Sequence, residues 1–132
     1  MFRIFRKPKG DGAPLPPQPT GKSVLLAGSG GFIAIAMASL LTDLMATPWI
    51  LGSFGASCVL VFAYPDAVFS QPRNVVAGHL ISSLVGLAFF TVFGPHWWSV
   101  AMSVGAAIAI MMLTRTVHPP AGSNPVIVFL TQ

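Results

Sequence analysis

Apolar stretches about as long as a membrane is thick alternate with short polar stretches in this chain of 132 residues. Residues 23–42 contain no Asp, Glu, Lys or Arg, and such a run matches the ~20 residues that a helix needs to cross a hydrocarbon core. A shorter apolar stretch follows, and Gly94 and Pro95 divide a third, longer one. The pattern predicts an all-α, polytopic transmembrane bundle of about four spans, at residues 23–42, 48–64, 75–93 and 97–113.

The composition supports lipid as the solvent of this chain. Apolar residues make up 54% of it and charged residues 8%, whereas about a quarter of a soluble domain is charged. The single cysteine, Cys58, excludes a disulfide scaffold. We therefore predict a transmembrane domain at residues 23–132, in contact with the lipid bilayer.

The basic residues are concentrated before the first predicted span, where residues 1–22 also hold five prolines. We interpret this region as a flexible, basic, Pro-rich cytoplasmic tail. Because it is not a basic face on a folded domain, we predict no nucleic-acid partner. A signal peptide is the alternative for the first span, since Ala36-Met37-Ala38 resembles a cleavage site, but several further spans follow.

The placement of charges predicts the orientation of the spans. With the tail in the cytoplasm, every Lys and Arg falls on the cytoplasmic side, as the positive-inside bias requires. Trp49, Trp97 and Trp98 fall at the opposite interface. We therefore expect a multi-pass protein of the cell membrane, the bacterial inner membrane in particular, with its N-terminus in the cytoplasm.

Small residues recur at every fourth position in each span and predict close helix packing. The sets are Gly30, Ala34 and Ala38; Gly52 and Ala56; Gly78, Ser82 and Gly86; and Ala101, Gly105 and Ala109. On this interpretation Gly105→Leu should push helices apart. The same sets permit a homo-oligomer without requiring one.

Polar residues interrupt the apolar body in three places. At residues 52–57, Gly52 and Gly55 either break a helix within the membrane or belong to a continuous one, and the sequence leaves both open. The second place holds Gln71, Arg73 and Asn74, with Pro72 suited to a first helical turn.

The third polar place, residues 114–125, combines a basic residue with helix-breaking ones. We expect Pro119 and Pro120 to terminate the preceding helix, and Gly122, Ser123 and Asn124 to form a turn or cap. Arg115 and His118 would then join Arg73 in one basic mouth on the cytoplasmic side. His79 is a further candidate, because an ionisable residue within a span is a functional candidate by default.

No catalytic constellation is recognisable, so we do not expect an enzyme. No cysteine and histidine spacing matches a zinc site, and we predict neither a metal nor another cofactor.

Three sequence blocks resemble the HPP family of integral membrane proteins. They are Phe54-Gly55-Ala56-Ser57; Gln71-Pro72-Arg73-Asn74 followed by Gly78-His79; and Leu113-Thr114-Arg115-Thr116 followed by His118-Pro119-Pro120-Ala121-Gly122. The blocks come in the family's order and extend over about residues 23–125. Family members usually continue through another hydrophobic helix, so a C-terminal helix is expected to be missing after Gln132.

The resemblance implies a transporter or channel for a small inorganic anion, with nitrite as the first candidate. The expected substrate-binding residues are Ser57, Gln71, Arg73, Asn74, His79, Arg115, His118 and Asn124, and the expected backbone or hinge positions are Gly52, Gly55, Pro119, Pro120 and Gly122. The alternative is a membrane scaffold or regulatory subunit that does not transport and binds its partner through the basic tail.

Overall fold

The computed structural model describes residues 17–45 and 52–131, which form helices joined by short connections. Within these residues there is no strand, and the predicted all-α class is confirmed. The α-helices are α1 (Gly21–Met45), α2 (Gly52–Cys58), α3 (Pro72–Phe93), α4 (Trp97–Leu113) and α5 (Asn124–Leu130). The predictions for residues 1–16 of the tail and for Trp49 lie outside the described residues.

Two helices are long and apolar enough to cross a membrane, α1 with 25 residues and α3 with 22. Two shorter apolar helices accompany them, Gly52–Ala63 and Trp97–Leu113. The four predicted spans therefore correspond to four apolar helices. Gly94, with φ of 74°, ends α3, and only Pro95 and His96 separate it from α4, where the sequence predicted a break.

The second apolar helix is short but is not broken at its glycines. Gly52 is its first residue and Gly55 lies within regular helix, so the continuous alternative holds for these positions. The irregularity comes later, where α2 continues directly into a π-helical segment, Val59–Ala63. Such segments are rare and often occur near functional sites.

One face of α3 packs as the small-residue pattern predicts. Asn74, Gly78, Ser82 and Gly86 are its buried residues. A Cβ atom at Gly78 would lie 2.8 Å from the Cβ of His118, and one at Gly86 would lie 2.7 Å from the Cα of Pro125. These glycines therefore let the C-terminal part of the chain approach the α3 backbone closely.

The predicted packing faces of α2 and α4 were wrong, because each helix is rotated so that a different face is buried. In α4 the exposed residues include Ala101, Gly105 and Ala109, while the buried ones are Ser99, Ser103, Ala107 and Met111. In α2, Ser53 and Ser57 are buried instead of Gly52 and Ala56. Ser57, Ser99 and Ser103 are small enough to pack, and their hydroxyls donate to backbone carbonyls of the protein, whereas lipid offers no partner.

The chain after α4 does not leave the bundle as a surface loop. It forms a 3₁₀ turn, Pro119–Ser123, and then α5, which runs beside α3. The hydroxyl of Ser82 donates to the carbonyl of Ala121 at 2.5 Å, and farther along, the rings of Phe90 and Phe129 meet edge to face with centroids 5.3 Å apart. The expected C-terminal helix thus begins within the described residues, as seven residues of α5.

The prolines do not terminate α4, contrary to the sequence-based expectation. The helix ends at Leu113, and Arg115 adopts the left-handed conformation with φ of 56°. The backbone N–H of Arg115 donates to Met112 O at 3.2 Å, and that of Thr116 to Met111 O at 2.9 Å. This pair of bonds is a Schellman motif, which closes the helix before Pro119 is reached.

We predict that Gly86→Ala destabilises the protein by about 1–3 kcal/mol, because the added methyl group collides with the backbone of Pro125. The matched control is Gly105→Ala in α4, where a Cβ atom meets nothing within 4 Å. That control should be neutral or slightly stabilising, since alanine favours a helix over glycine. Thermal unfolding of the purified protein in detergent measures both. Equal losses of stability in the two variants would contradict the α3–α5 packing.

Candidate functional site

Two histidines meet around one serine hydroxyl inside the bundle. The Oγ atom of Ser57 lies 2.9 Å from Nε2 of His79 and 2.9 Å from Nε2 of His118. With Asn124, whose amide nitrogen lies 3.0 Å from Nδ1 of His79, these residues form what we call the histidine cluster. Its members come from α2, α3, the segment before the 3₁₀ turn, and α5. The cluster therefore joins parts of the chain that are distant in sequence.

The position of His118 follows from the packing against α3. The residue is extended, with φ of −130° and ψ of 101°. Its Cβ atom approaches the chain at Gly78, where any larger residue would collide. The side-chain amide of Asn74 donates to the carbonyl of Val117 at 2.9 Å and holds the preceding residue. As a result His118 is 0% exposed.

The hydrogen-bond partners assign the protons of both rings. Nδ1 of His118 lies 2.7 Å from the carbonyl oxygen of Phe69, so this nitrogen carries a hydrogen and donates it. The amide nitrogen of Asn124 also lies 3.3 Å from the carbonyl of His79 and donates. Nδ1 of His79 therefore accepts from Asn124, and the neutral ring carries its hydrogen on Nε2, which points at Ser57.

A mostly apolar cavity of about 230 Å³ adjoins the cluster between α1, α2 and α3. Ser57 and His79 supply its polar lining. Ala34 and Ala38, two of the predicted small residues of α1, form part of the opposite wall. The cavity thus gives the cluster a space that a small solute can enter.

Two arginines lie together where α3 begins and α4 has ended. The guanidinium of Arg73 donates from Nη2 to the carbonyl oxygen of Arg115 at 3.0 Å, and both residues are exposed. We call them the arginine pair. Because a guanidinium has five N–H donors, this bond leaves most of the donors of Arg73 open to a ligand.

The predicted basic mouth is correct for the arginines and wrong for His118. That histidine is buried beside His79 instead of lying at the surface with Arg73 and Arg115. The reason is that the non-helical backbone around His118 is held inside the protein by donors from α3. The sequence alone does not show which residues contact His118, so it could not predict this depth.

Several other predicted site residues lie apart from the cluster. The side chain of Gln71 is exposed and reaches the carbonyls of Pro65 and Ala67 at 3.5 and 3.4 Å, so it belongs to the connection before α3. Gly55 is exposed within α2, and Gly122 has no left-handed φ. Gly52 begins α2, and Pro119 and Pro120 begin the 3₁₀ turn, so the hinge roles of these residues stay predictions.

Sequence reasoning missed several groups that complete the cluster. Ser83 accepts from the amide of Asn124 at 2.9 Å, and the ring of Phe54 meets that of His79 edge-on with centroids 5.8 Å apart. Ser83 follows His79 by four residues on the same helix face, so its spacing was a usable signal. The carbonyl of Ser53, which accepts from the hydroxyl of Ser57 at 2.9 Å, and that of Phe69 gave no such signal, because every residue type has a backbone carbonyl.

Among the described residues, no group of three or more His, Cys, Asp or Glu side chains is close enough together to hold a metal ion. The polar groups of the site are imidazoles, a hydroxyl and an amide inside, and two guanidinium groups at the edge.

Apolar helices of spanning length around a buried polar cluster define a polytopic helical membrane protein. Comparison with known proteins agrees: residues 16–132 match the model of the HPP transmembrane region, and the chain belongs to this family. Two transmembrane proteins of Dictyostelium discoideum are similar to it, one 33% identical over 135 residues and the other 31% over 136, each match covering 96% of this chain. The chain spans 43% and 48% of their lengths. No solved structure matches.

We predict that Arg115→Gly yields a more stable protein than Arg115→Ala, by about 1 kcal/mol. Both variants remove the guanidinium, but only glycine adopts the left-handed backbone of this position without steric conflict. Thermal unfolding of the two variants in the same detergent isolates the backbone effect. If the alanine variant were equally stable, the left-handed end of α4 would be incorrect.

Proposed function

We propose that this membrane protein moves a small inorganic anion across the bilayer, with nitrite as the first candidate. The observation that carries the proposal is the histidine cluster, in which His79 and His118 share the hydroxyl of Ser57 within a bundle of apolar helices. At 1.5 Å per residue, His79 lies about 10 Å from the start of α3. Ionisable residues at such a depth are costly and usually mark a substrate or ion pathway.

The balance of charge favours an anion over a cation. The arginine pair supplies two permanent positive charges at one end of the bundle, and the histidines below it become cations on protonation. The described residues hold two carboxylates, Asp66 in the connection before α3 and Asp43 near the other end of α1. An anion would therefore be attracted to the arginine end and stabilised at the cluster.

The size of the cavity supports a small solute. A water molecule takes up about 30 Å³ in the liquid, so a cavity of about 230 Å³ has room for a triatomic anion with part of its hydration shell. Its lining is mostly apolar, and Ser57 and His79 are the polar side chains of the histidine cluster that face an entering ion.

The orientation with the N-terminus in the cytoplasm belongs to this proposal. A second cavity, lined by Ala27 and Gly28 of α1 and by Val59 and Ala63, indicates that the π-helical segment lies against the first half of α1. The start of α1 and the starting end of α3 thus lie on one side, which collects Lys22 with the arginine pair and agrees with the positive-inside bias. The cell membrane stays the predicted location, and the relatives from Dictyostelium give no support for a bacterial one.

Nitrite uptake into proteoliposomes tests the function. We expect uptake above that of protein-free vesicles, and a reduction of roughly tenfold or more in Arg73→Gln and in His118→Ala, because each loses a charge-assisted hydrogen bond worth about 1.5–3 kcal/mol. His96→Ala is the matched control: this histidine is exposed between α3 and α4, where it stacks on Trp98 at 5.5 Å. It should keep wild-type uptake.

Unchanged uptake in both site variants would refute the assignment of the site. A wild-type protein that carries no anion, together with a partner that is lost when residues 1–20 are deleted, would support the scaffold instead of the transporter.

A further inference from the structure

The hydroxyl of Ser57 has one hydrogen and two places to donate it. Its oxygen lies 2.9 Å from the carbonyl oxygen of Ser53 and 2.9 Å from Nε2 of His118. Nε2 of His79 donates to the same oxygen and does not compete for the hydrogen. The state of His118 therefore decides where the Ser57 hydrogen points.

When His118 is neutral, its Nδ1 hydrogen is committed to the carbonyl of Phe69, and Nε2 is an acceptor that receives the Ser57 hydrogen. When His118 is protonated, Nε2 becomes a donor to Ser57 Oγ, and the Ser57 hydrogen turns to the carbonyl of Ser53. Each state satisfies every donor of the serine and of the His118 ring. The rotation of one hydroxyl is the only change required.

His79 does not have this property. A second hydrogen on its ring would sit on Nδ1, which faces the amide nitrogen of Asn124 at 3.0 Å, itself a donor held by the carbonyl of His79 and by Ser83. Two donors would then face each other. The added proton thus belongs on His118, although both rings contact the same hydroxyl.

A proton alone on His118 would be a buried, unpaired charge, which is strongly unfavourable. An anion beside the cluster removes that penalty, because proton and anion together carry no net charge. The geometry points to a proton site at Nε2 of His118, filled together with the anion, so that one proton accompanies each anion through the protein. This inference rests on the proposed transport of an anion and adds the coupling ion.

The groups around His118 leave it as the site that gains the proton. α3 contributes His79 and, near its start, Arg73; the end of α4 contributes Arg115; and α2 contributes Cys58 beside the serines. The 3₁₀ turn at Val68–Ser70, the turn at Pro119–Ser123 and α5 contain no titratable side chain. No carboxylate belongs to any of the helices or turns that surround the ring, so the anion supplies the negative charge.

The test uses the full chain in vesicles whose membrane potential is clamped at zero with equal potassium and valinomycin. A difference of one pH unit, acid outside, should accumulate nitrite roughly tenfold in the lumen, since one unit is a tenfold ratio of proton activity. A trapped pH dye should record about one proton for each nitrite. Because nitrous acid that permeates the lipid produces the same accumulation at equilibrium, initial rates are compared and the rate of protein-free vesicles is subtracted.

Ser57→Ala removes the hydroxyl that lets Nε2 of His118 change between acceptor and donor. We expect its remaining uptake, whatever its rate, to lose the accumulation driven by the pH difference. Ser103→Ala is the matched control, because Ser103 is also 0% exposed but its hydroxyl donates to Val100 O within α4. It should accumulate nitrite like the wild-type protein.

The two proposals fail in different ways. No nitrite movement by the wild-type protein would overturn transport and coupling together. Nitrite that only equilibrates, without accumulation and without protons, would overturn the proton site and leave transport standing. Accumulation that persists in Ser57→Ala would show that another group carries the proton and would also overturn the assignment.

Discussion

The need to satisfy backbone carbonyls without water governs this structure. Between α4 and α5 the chain is not α-helical, yet Thr116, His118 and Ala121 are buried in the bundle, where lipid provides no hydrogen bonds. Three side chains of α3 meet this need: Arg73, Asn74 and Ser82 donate to the carbonyls of Arg115, Val117 and Ala121 in the same order. Two parallel stretches of chain are thereby held in register. His118 lies within this register, so its burial is a consequence of it.

The glycines of α3 make the same arrangement sterically possible. Gly78 and Gly86 lie eight residues apart on the face that carries Asn74 and Ser82. Small residues and donors therefore alternate along one stripe, the first allowing close approach and the second satisfying the approaching backbone. Packing in membranes relies on such contacts because burial against lipid gives little hydrophobic gain. In this protein, the stripe that stabilises the bundle also positions the histidines.

The sequence predicted what depends on hydropathy and local chemistry. Composition and spacing predicted the four apolar helices, the turn at Gly94, the packing face of α3 and His79 as a functional candidate. The packing faces of α2 and α4 did not, because glycine and alanine stripes identify small residues but not the direction in which a serine hydroxyl finds a carbonyl. The depth of His118 also escaped, since it depends on Asn74 and Gly78, which are about forty residues away in sequence.

The chemistry of the cluster explains why an imidazole occupies position 118. The carbonyl of Phe69 requires a permanent donor on one edge of the ring, and the hydroxyl of Ser57 faces the other edge. A glutamine amide presents one donor and one acceptor group that cannot exchange roles in place, and a lysine only donates. Imidazole alone keeps its donor at Nδ1 while Nε2 changes from acceptor to donor on protonation. Because the carbonyl of Phe69 holds the hydrogen on Nδ1, Nε2 is the nitrogen that can change between acceptor and donor.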